Sequence, residues 1–165
     1  MRDGRPTFYY DDDNDNEIRA GGLLLYRYDE CTCEPEFLMI KTKRTYEDFG
    51  GRTDISDKTI NDTICREAEE ESNGILKINE VYDLIKNQQP IYSRESKYLL
   101  YIVKTDISYN PDDFGKFEIH DGIRRTVQWI KLSKLLNKNF HKSIHIRLKF
   151  KSFFDQLAQL RPPKQ

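Results

Sequence analysis

The chain has 165 residues, of which 37% are hydrophobic and 33% charged: enough apolar content for one domain with a buried core, and too little length for two comfortable ones. The net charge of −1 says nothing by itself about partners. No apolar run approaches the length of a membrane span, no apolar leader opens the chain, and three cysteines (Cys31, Cys33, Cys65) form no disulfide framework, so the expectation is an intracellular, cytoplasmic protein with no membrane association.

Charge is unevenly distributed. Residues 131–165 carry nine Lys or Arg against one acid, Asp155, which leaves −9 for the rest. An acidic body with a basic C-terminal segment suits a protein that handles polyanions, although a solvated basic helix accounts for it equally well.

Residues 1–17 end in the low-complexity acidic run DDDNDNE and read as a flexible arm. Ala20–Tyr26 and Glu36–Lys41 read as neighbouring buried strands. Cys31-Thr32-Cys33 forms the turn between them, its cysteines too close for an ordinary zinc half-site. Tyr46–Gly51 reads as a short strand halted by two glycines. Residues 59–72 are helical, with Ile60, Ile64 and Ala68 in one stripe, Thr59 and Asp62 as a capping box, and Asn73-Gly74 as the stop. Asn79–Lys86 is a short helix or an irregular connection. Lys97–Lys104 is a central strand. Residues 105–122 form a long loop, and loops of that length in small domains are often functional. Arg124–Ile130 is a strand with Val127 and Trp129 on one face. Ile146, Phe150, Phe153, Leu157 and Leu160 predict a helix over 146–160, ended by Pro162-Pro163. Strands mixed with two helices predict an α/β sandwich, residues 18–160 forming the domain and 161–165 a tail.

The chemistry concentrates in Cys65–Gly74, CREAEEESNG. On a helix Glu67, Glu70 and Glu71 share a face. Three carboxylates there repel one another unless hard divalent ions, which prefer oxygen ligands, convert the repulsion into binding. Arg66 stands beside Glu67 and four residues before Glu70, placed to hold a carboxylate in one rotamer. A solvated acidic face is the alternative.

In context, residues 50–74 resemble the Nudix box, G-x5-E-x7-R-E-U-x-E-E-x-G-U, where U is aliphatic. Gly51 matches the first glycine, Arg66-Glu67 the R-E, Ala68 the aliphatic position and Glu70-Glu71 the E-E. The order of elements over residues 18–160 is also similar. Asp57 stands where the pattern has Glu, one extra residue separates it from Arg66, and Asn73 occupies the last glycine's place. With the insertion, Asp57 is expected to matter little.

The resemblance implies a Nudix-type α/β/α sandwich with a small mixed sheet, and hydrolysis of a nucleoside diphosphate linked to another moiety. It implies Mg2+ or Mn2+ held by Glu67, Glu70 and Glu71 with the Gly50 carbonyl, and Arg66 orienting the set. The proton acceptor is a box glutamate, Glu67 or Glu70, or a residue of the later loop: Glu118, His120 or Asp121. Substrate contacts are expected from Arg19, Lys41, Lys43 and Arg44 at strand ends. Tyr109, Phe114 and Phe117 are candidates to stack on a base. Three activities compete: a pyrophosphohydrolase for nucleoside triphosphates, dinucleoside polyphosphates or related compounds; removal of 5′ caps from RNA, aided by the basic segment; and a non-catalytic module that binds a nucleotide or protein.

Overall fold

The computed structural model describes residues 4–160. Its main sheet contains β3 (Ala20–Tyr28), β4 (Pro35–Lys41), β5 (Tyr46–Glu47), β6 (Phe49–Arg52), β7 (Ile91–Ser93), β8 (Tyr98–Lys104) and β9 (Thr126–Lys131). Alternation along the central strands sends side chains to two separate cores. Leu23, Leu25, Leu38, Ile40, Leu99, Tyr101 and Val103 face one layer, where they meet Ile64 and Ala68 of α1 (Ile60–Glu71) and Val81 and Ile85 of α2 (Ile78–Ile85). Leu24, Phe37, Met39, Tyr98 and Leu100 face the other. There they meet Leu132 and Leu135 of α3 (Leu132–Leu135) and Phe153 and Leu157 of α4 (Lys151–Gln159). The result is an α/β/α sandwich, as expected. Val127 and Trp129 both turn to the α1 layer.

The sheet is mixed. β3 and β8 run parallel, from Ala20 opposite Tyr98 to Tyr26 opposite Lys104, and every other pairing is antiparallel. The expected strand over Tyr46–Gly51 is two strands. β5 pairs with β4, β6 pairs with β3, and the chain changes neighbour at Asp48. Asp48 is fully buried. Its carboxylate accepts from Arg147 Nε at 2.9 Å and from the Tyr98 hydroxyl, and its carbonyl accepts from Arg147 Nη2 at 3.1 Å.

The helix expected over 59–72 is α1. Thr59 Oγ1 accepts from Asp62 N, Asp62 returns the bond to Thr59 N, and Asn73 and Gly74 take left-handed φ of 54° and 82°. Two expectations fail. Within the region expected to be a flexible arm, β1 (Phe8–Tyr9) pairs with β2 (Glu17–Ile18), and Phe8, Tyr10 and Ile18 join the α1-side core. Apolar residues on both flanks of the acidic run fold it back. The helix expected over 146–160 begins only at Lys151, after a 3-10 turn at Ile146–Leu148 that leaves Ile146 75% exposed. The pull of Arg147 toward Asp48 overrides the seam there. Pro162-Pro163 and the tail from 161 lie outside the described residues.

Candidate active site

Two glycine pairs face each other across β3 and β6, Gly21 opposite Gly51 and Gly22 opposite Gly50. A side chain at Gly22 or Gly50 would collide with the Tyr98 hydroxyl. At Gly51 its Cβ would lie 2.5 Å from the Glu67 carboxyl carbon. Glycine therefore lets a carboxylate from α1 lie directly on the strand backbone. The Gly50 amide donates to Glu71 Oε2 at 3.4 Å. Gly50, Gly51, Arg66, Glu67, Glu70 and Glu71 line one side of a cavity of about 400 Å³, and Glu118, His120, Asp121 and Arg125 line the other. A second hollow, at the far end of the sheet, mixes the cations Arg27 and Lys104 with Asp29, Glu30 and Asp106 and holds none of the glutamates of α1.

Arg66 is the organiser. Its Nη1 bonds Glu67 at 3.1 Å and Glu70 at 3.4 Å, and its Nη2 reaches the Arg52 carbonyl. Its other edge is gripped by Asp57, Nε to Oδ1 at 3.1 Å and Nη2 to Oδ2 at 3.0 Å. Asp57 is buried and also accepts from Asp54 N and Thr63 Oγ1. Burial opposes its charge, yet the bonds from Arg66 and Thr63 hold its carboxyl below the usual range. Asp57 is expected to matter little because of the insertion, yet the extra loop residue is absorbed and the carboxylate still reaches the arginine.

The loop carrying Glu118 is clamped to the end of α1. Asn73 Nδ2 donates to the carbonyls of Phe114 at 2.9 Å and Phe117 at 2.7 Å, and Asn73 Oδ1 accepts from Ile119 N at 2.8 Å. Arg125, only 2% exposed, donates to the carbonyls of Gly115 and Glu71, both at 2.7 Å. Glu118 itself is 9% exposed. Burial, then Asp121, pushes its pKa up to about 7, against Arg125. Burial likewise raises Glu67, against Arg66, and pushes Glu71 well above the ordinary value, against Arg147.

The donors at the cavity are oxygens, the chemistry that hard divalent ions select. Among the described residues no three acidic, imidazole or thiolate groups already stand close enough to enclose an ion. The fit lies in the cradle that a Cβ at Gly51 would fill, and in carboxylates whose burial a cation would offset.

The structure brings Gly50, Arg66, Glu67, Glu70, Glu71 and Glu118 together around this cavity. His120 is 62% exposed, 3.7 Å from Glu70. Arg19 is not there: its Nη1 bonds the carbonyls of Arg5 and Pro6 and the Thr7 hydroxyl, tying down the N-terminal segment. Lys41 lies between Ile40 and Thr42, which line the cavity, and its ammonium sits over the Tyr46 ring. Lys43 lines an adjoining groove. Of the aromatic candidates, Phe114 is core, Tyr109 packs on it, and exposed Phe117 lies under Arg124. Sequence reasoning missed Asp48, Asn73 as a clamp, Arg125 and Arg147. Asn73 alone left a signal, as a side chain in a glycine's place.

Fold and site define an α/β/α sandwich that presents a carboxylate-lined cavity at a glycine-rich strand crossing. No family model and no curated protein matches the sequence. Similar solved structures include a C. elegans Ap4A hydrolase binary complex (TM-score 0.48, 15% identity, covering 86% of this chain and 93% of that one). Others are the Nudix domain of Shewanella oneidensis NrtR complexed with ADP ribose (0.49, 13%, 72% and 75%) and the M. smegmatis Nudix hydrolase RenU (0.45, 13%, 87% and 85%).

Proposed function

We propose that the chain is a Nudix hydrolase, dependent on Mg2+ or Mn2+, that cleaves a phosphoanhydride in a nucleoside diphosphate derivative. The observation that carries this reading is the convergence of Glu67, Glu70, Glu71 and Glu118 on one cavity beside Gly50 and Gly51, with Arg66 fixed between Asp57 and the box carboxylates.

Glu67, Glu70 and Glu71, with Gly50, would hold the ions. Bound there, divalent ions neutralise the diphosphate, polarise phosphorus and bring the pKa of water toward neutrality. Arg66 keeps Glu67 and Glu70 in one arrangement, which leaves less side-chain ordering to be done when substrate arrives. Glu118, which lines the cavity opposite these carboxylates, accepts a proton from the attacking water. Asn73 and Arg125 hold the loop that presents it.

The test incubates the full chain with Mn2+ or Mg2+ and a panel of nucleoside triphosphates, dinucleoside polyphosphates, nucleotide sugars and capped RNA, with products resolved by chromatography. Metal-dependent release of a nucleotide, lost in Glu70→Gln and in Glu71→Gln, is the expected result. No turnover of any compound overturns the proposal in favour of a binding module, and undiminished turnover in both variants overturns the assignment of the chemistry to these carboxylates.

A further inference from the structure

The acidic cavity opens beside a groove of opposite character. The groove has a volume of about 560 Å³ and shares Thr42, Glu47 and Ile123 with the cavity, so the two are continuous. Lys43, Arg44, Arg124, Lys142, His145 and Lys149 line it. Its one acid, Glu47, faces inward to Arg147 at 3.8 Å and His145 at 3.9 Å. Among the described residues no carboxylate forms an ion pair with Lys43, Arg44, Arg124, Lys142 or Lys149, and all five are exposed. Exposed Ile123 and Ile146 lie among these cations.

We propose that this groove binds the sugar–phosphate backbone of a single nucleic-acid strand whose 5′ phosphoanhydride lies in the neighbouring cavity. The inference rests on the hydrolase reading and narrows its substrate from free nucleotides to oligonucleotide 5′ ends. Five uncompensated cations next to a carboxylate cluster make a field that draws a polyanion along the groove and admits it to the acids only where a metal-bound diphosphate can be accepted. The cations come from three segments, the 42–45 turn, Arg124 and the 142–149 stretch, and line an open trough. Exposed Ile123 and Ile146 among these cations offer apolar surface to sugars and bases, which a strand can use and an inorganic polyphosphate cannot.

The experiment measures fluorescence anisotropy of a short 5′-hydroxyl RNA, about ten nucleotides long, with the full chain in buffer free of divalent ions, over a range of salt. The Lys142→Glu/Lys149→Glu double variant, changed only at exposed positions, is compared, with its melting curve as the folding control. In parallel, KM is measured for a 5′-triphosphorylated RNA and for a nucleoside triphosphate with Mn2+. The expected result is salt-sensitive binding that the double variant weakens at least tenfold. The log–log salt slope should shrink by about 1 to 1.5, two phosphate contacts at roughly 0.7 each. The ratio of oligonucleotide KM to nucleotide KM should rise by a similar factor. A DNA strand of the same sequence separates the two sources of backbone, and binding of either supports the groove. Double-variant affinity within twofold of the parent, equal or tighter binding of duplex, or full displacement by tripolyphosphate at matched phosphate concentration overturns it. Strand binding without hydrolysis of any compound sinks the hydrolase reading and spares the groove. Hydrolysis of nucleotides without strand binding does the reverse.

Discussion

Asp57 shows how much one carboxylate organises. It meets the guanidinium edge of Arg66 with both oxygens while also accepting from Thr63 and the Asp54 amide. In Asp57→Asn the shape survives but the charge and one acceptor go. The expected cost is about 1.5–3 kcal/mol of stability by chemical denaturation, with kcat/KM down roughly 10- to 100-fold as Arg66 loses its anchor. Asn73 makes a sharper case, because its φ of 54° already suits glycine. Asn73→Gly therefore keeps the helix stop and removes only the three bonds to the Glu118 loop. Turnover should fall roughly 10- to 100-fold while the concentration of Mn2+ giving half-maximal rate stays within about twofold, since Glu67, Glu70 and Glu71 are untouched. A rise in that concentration to match the fall in rate would assign Asn73 to the metal side instead.

At the scale of elements, the change of strand partner at Asp48 depends on Arg147. In Arg147→Met a fully buried aspartate loses its cation, at an expected cost of about 3–5 kcal/mol. Arg147→Lys should recover little, because one ammonium cannot reproduce the Nε and Nη2 bonds made to both the carboxylate and the carbonyl. Urea titration of both variants checks this. The same contact marks where sequence reasoning ends. The box helix was legible because its signals are local: the Thr59–Asp62 cap, the stripe of Ile60, Ile64 and Ala68, and the Asn-Gly stop. Arg147 lies 99 positions from Asp48, and its burial could not be told from the solvated charges around it. The 3-10 turn at Ile146–Leu148 and the split of β5 from β6 follow from that one pairing, so they were hidden with it. Asn73 was legible as a helix terminator, but its amide partners lie 41 to 46 residues away.

For the whole molecule, the cavity couples stability to pH and metal. Glu118 is pushed up to about 7, chiefly by burial, above its ordinary 4.5. The folded chain therefore holds that proton more tightly than the unfolded one. The stability it contributes is complete below pH 4.5 and is lost as pH rises through 7. Without divalent ions, the melting temperature should decline between pH 5 and 8, and Glu118→Gln should flatten that decline. Mn2+ at pH 8 should restore the parent by binding the folded state alone. Calorimetry at several pH values, with and without Mn2+, decides it. No helix among the described residues is long and apolar enough to cross a membrane. The hairpin between β3 and β4 lies at the end of the sheet away from the cavity, beyond a nine-residue strand, a separation of roughly 30 Å. Its Cys31 and Cys33 are exposed, whereas Cys65 is buried and its thiol is pushed up to about 11. Alkylating reagents at neutral pH are thereby steered to one pole, so a dye or a surface tether attached there leaves the opposite pole free to meet its ligand.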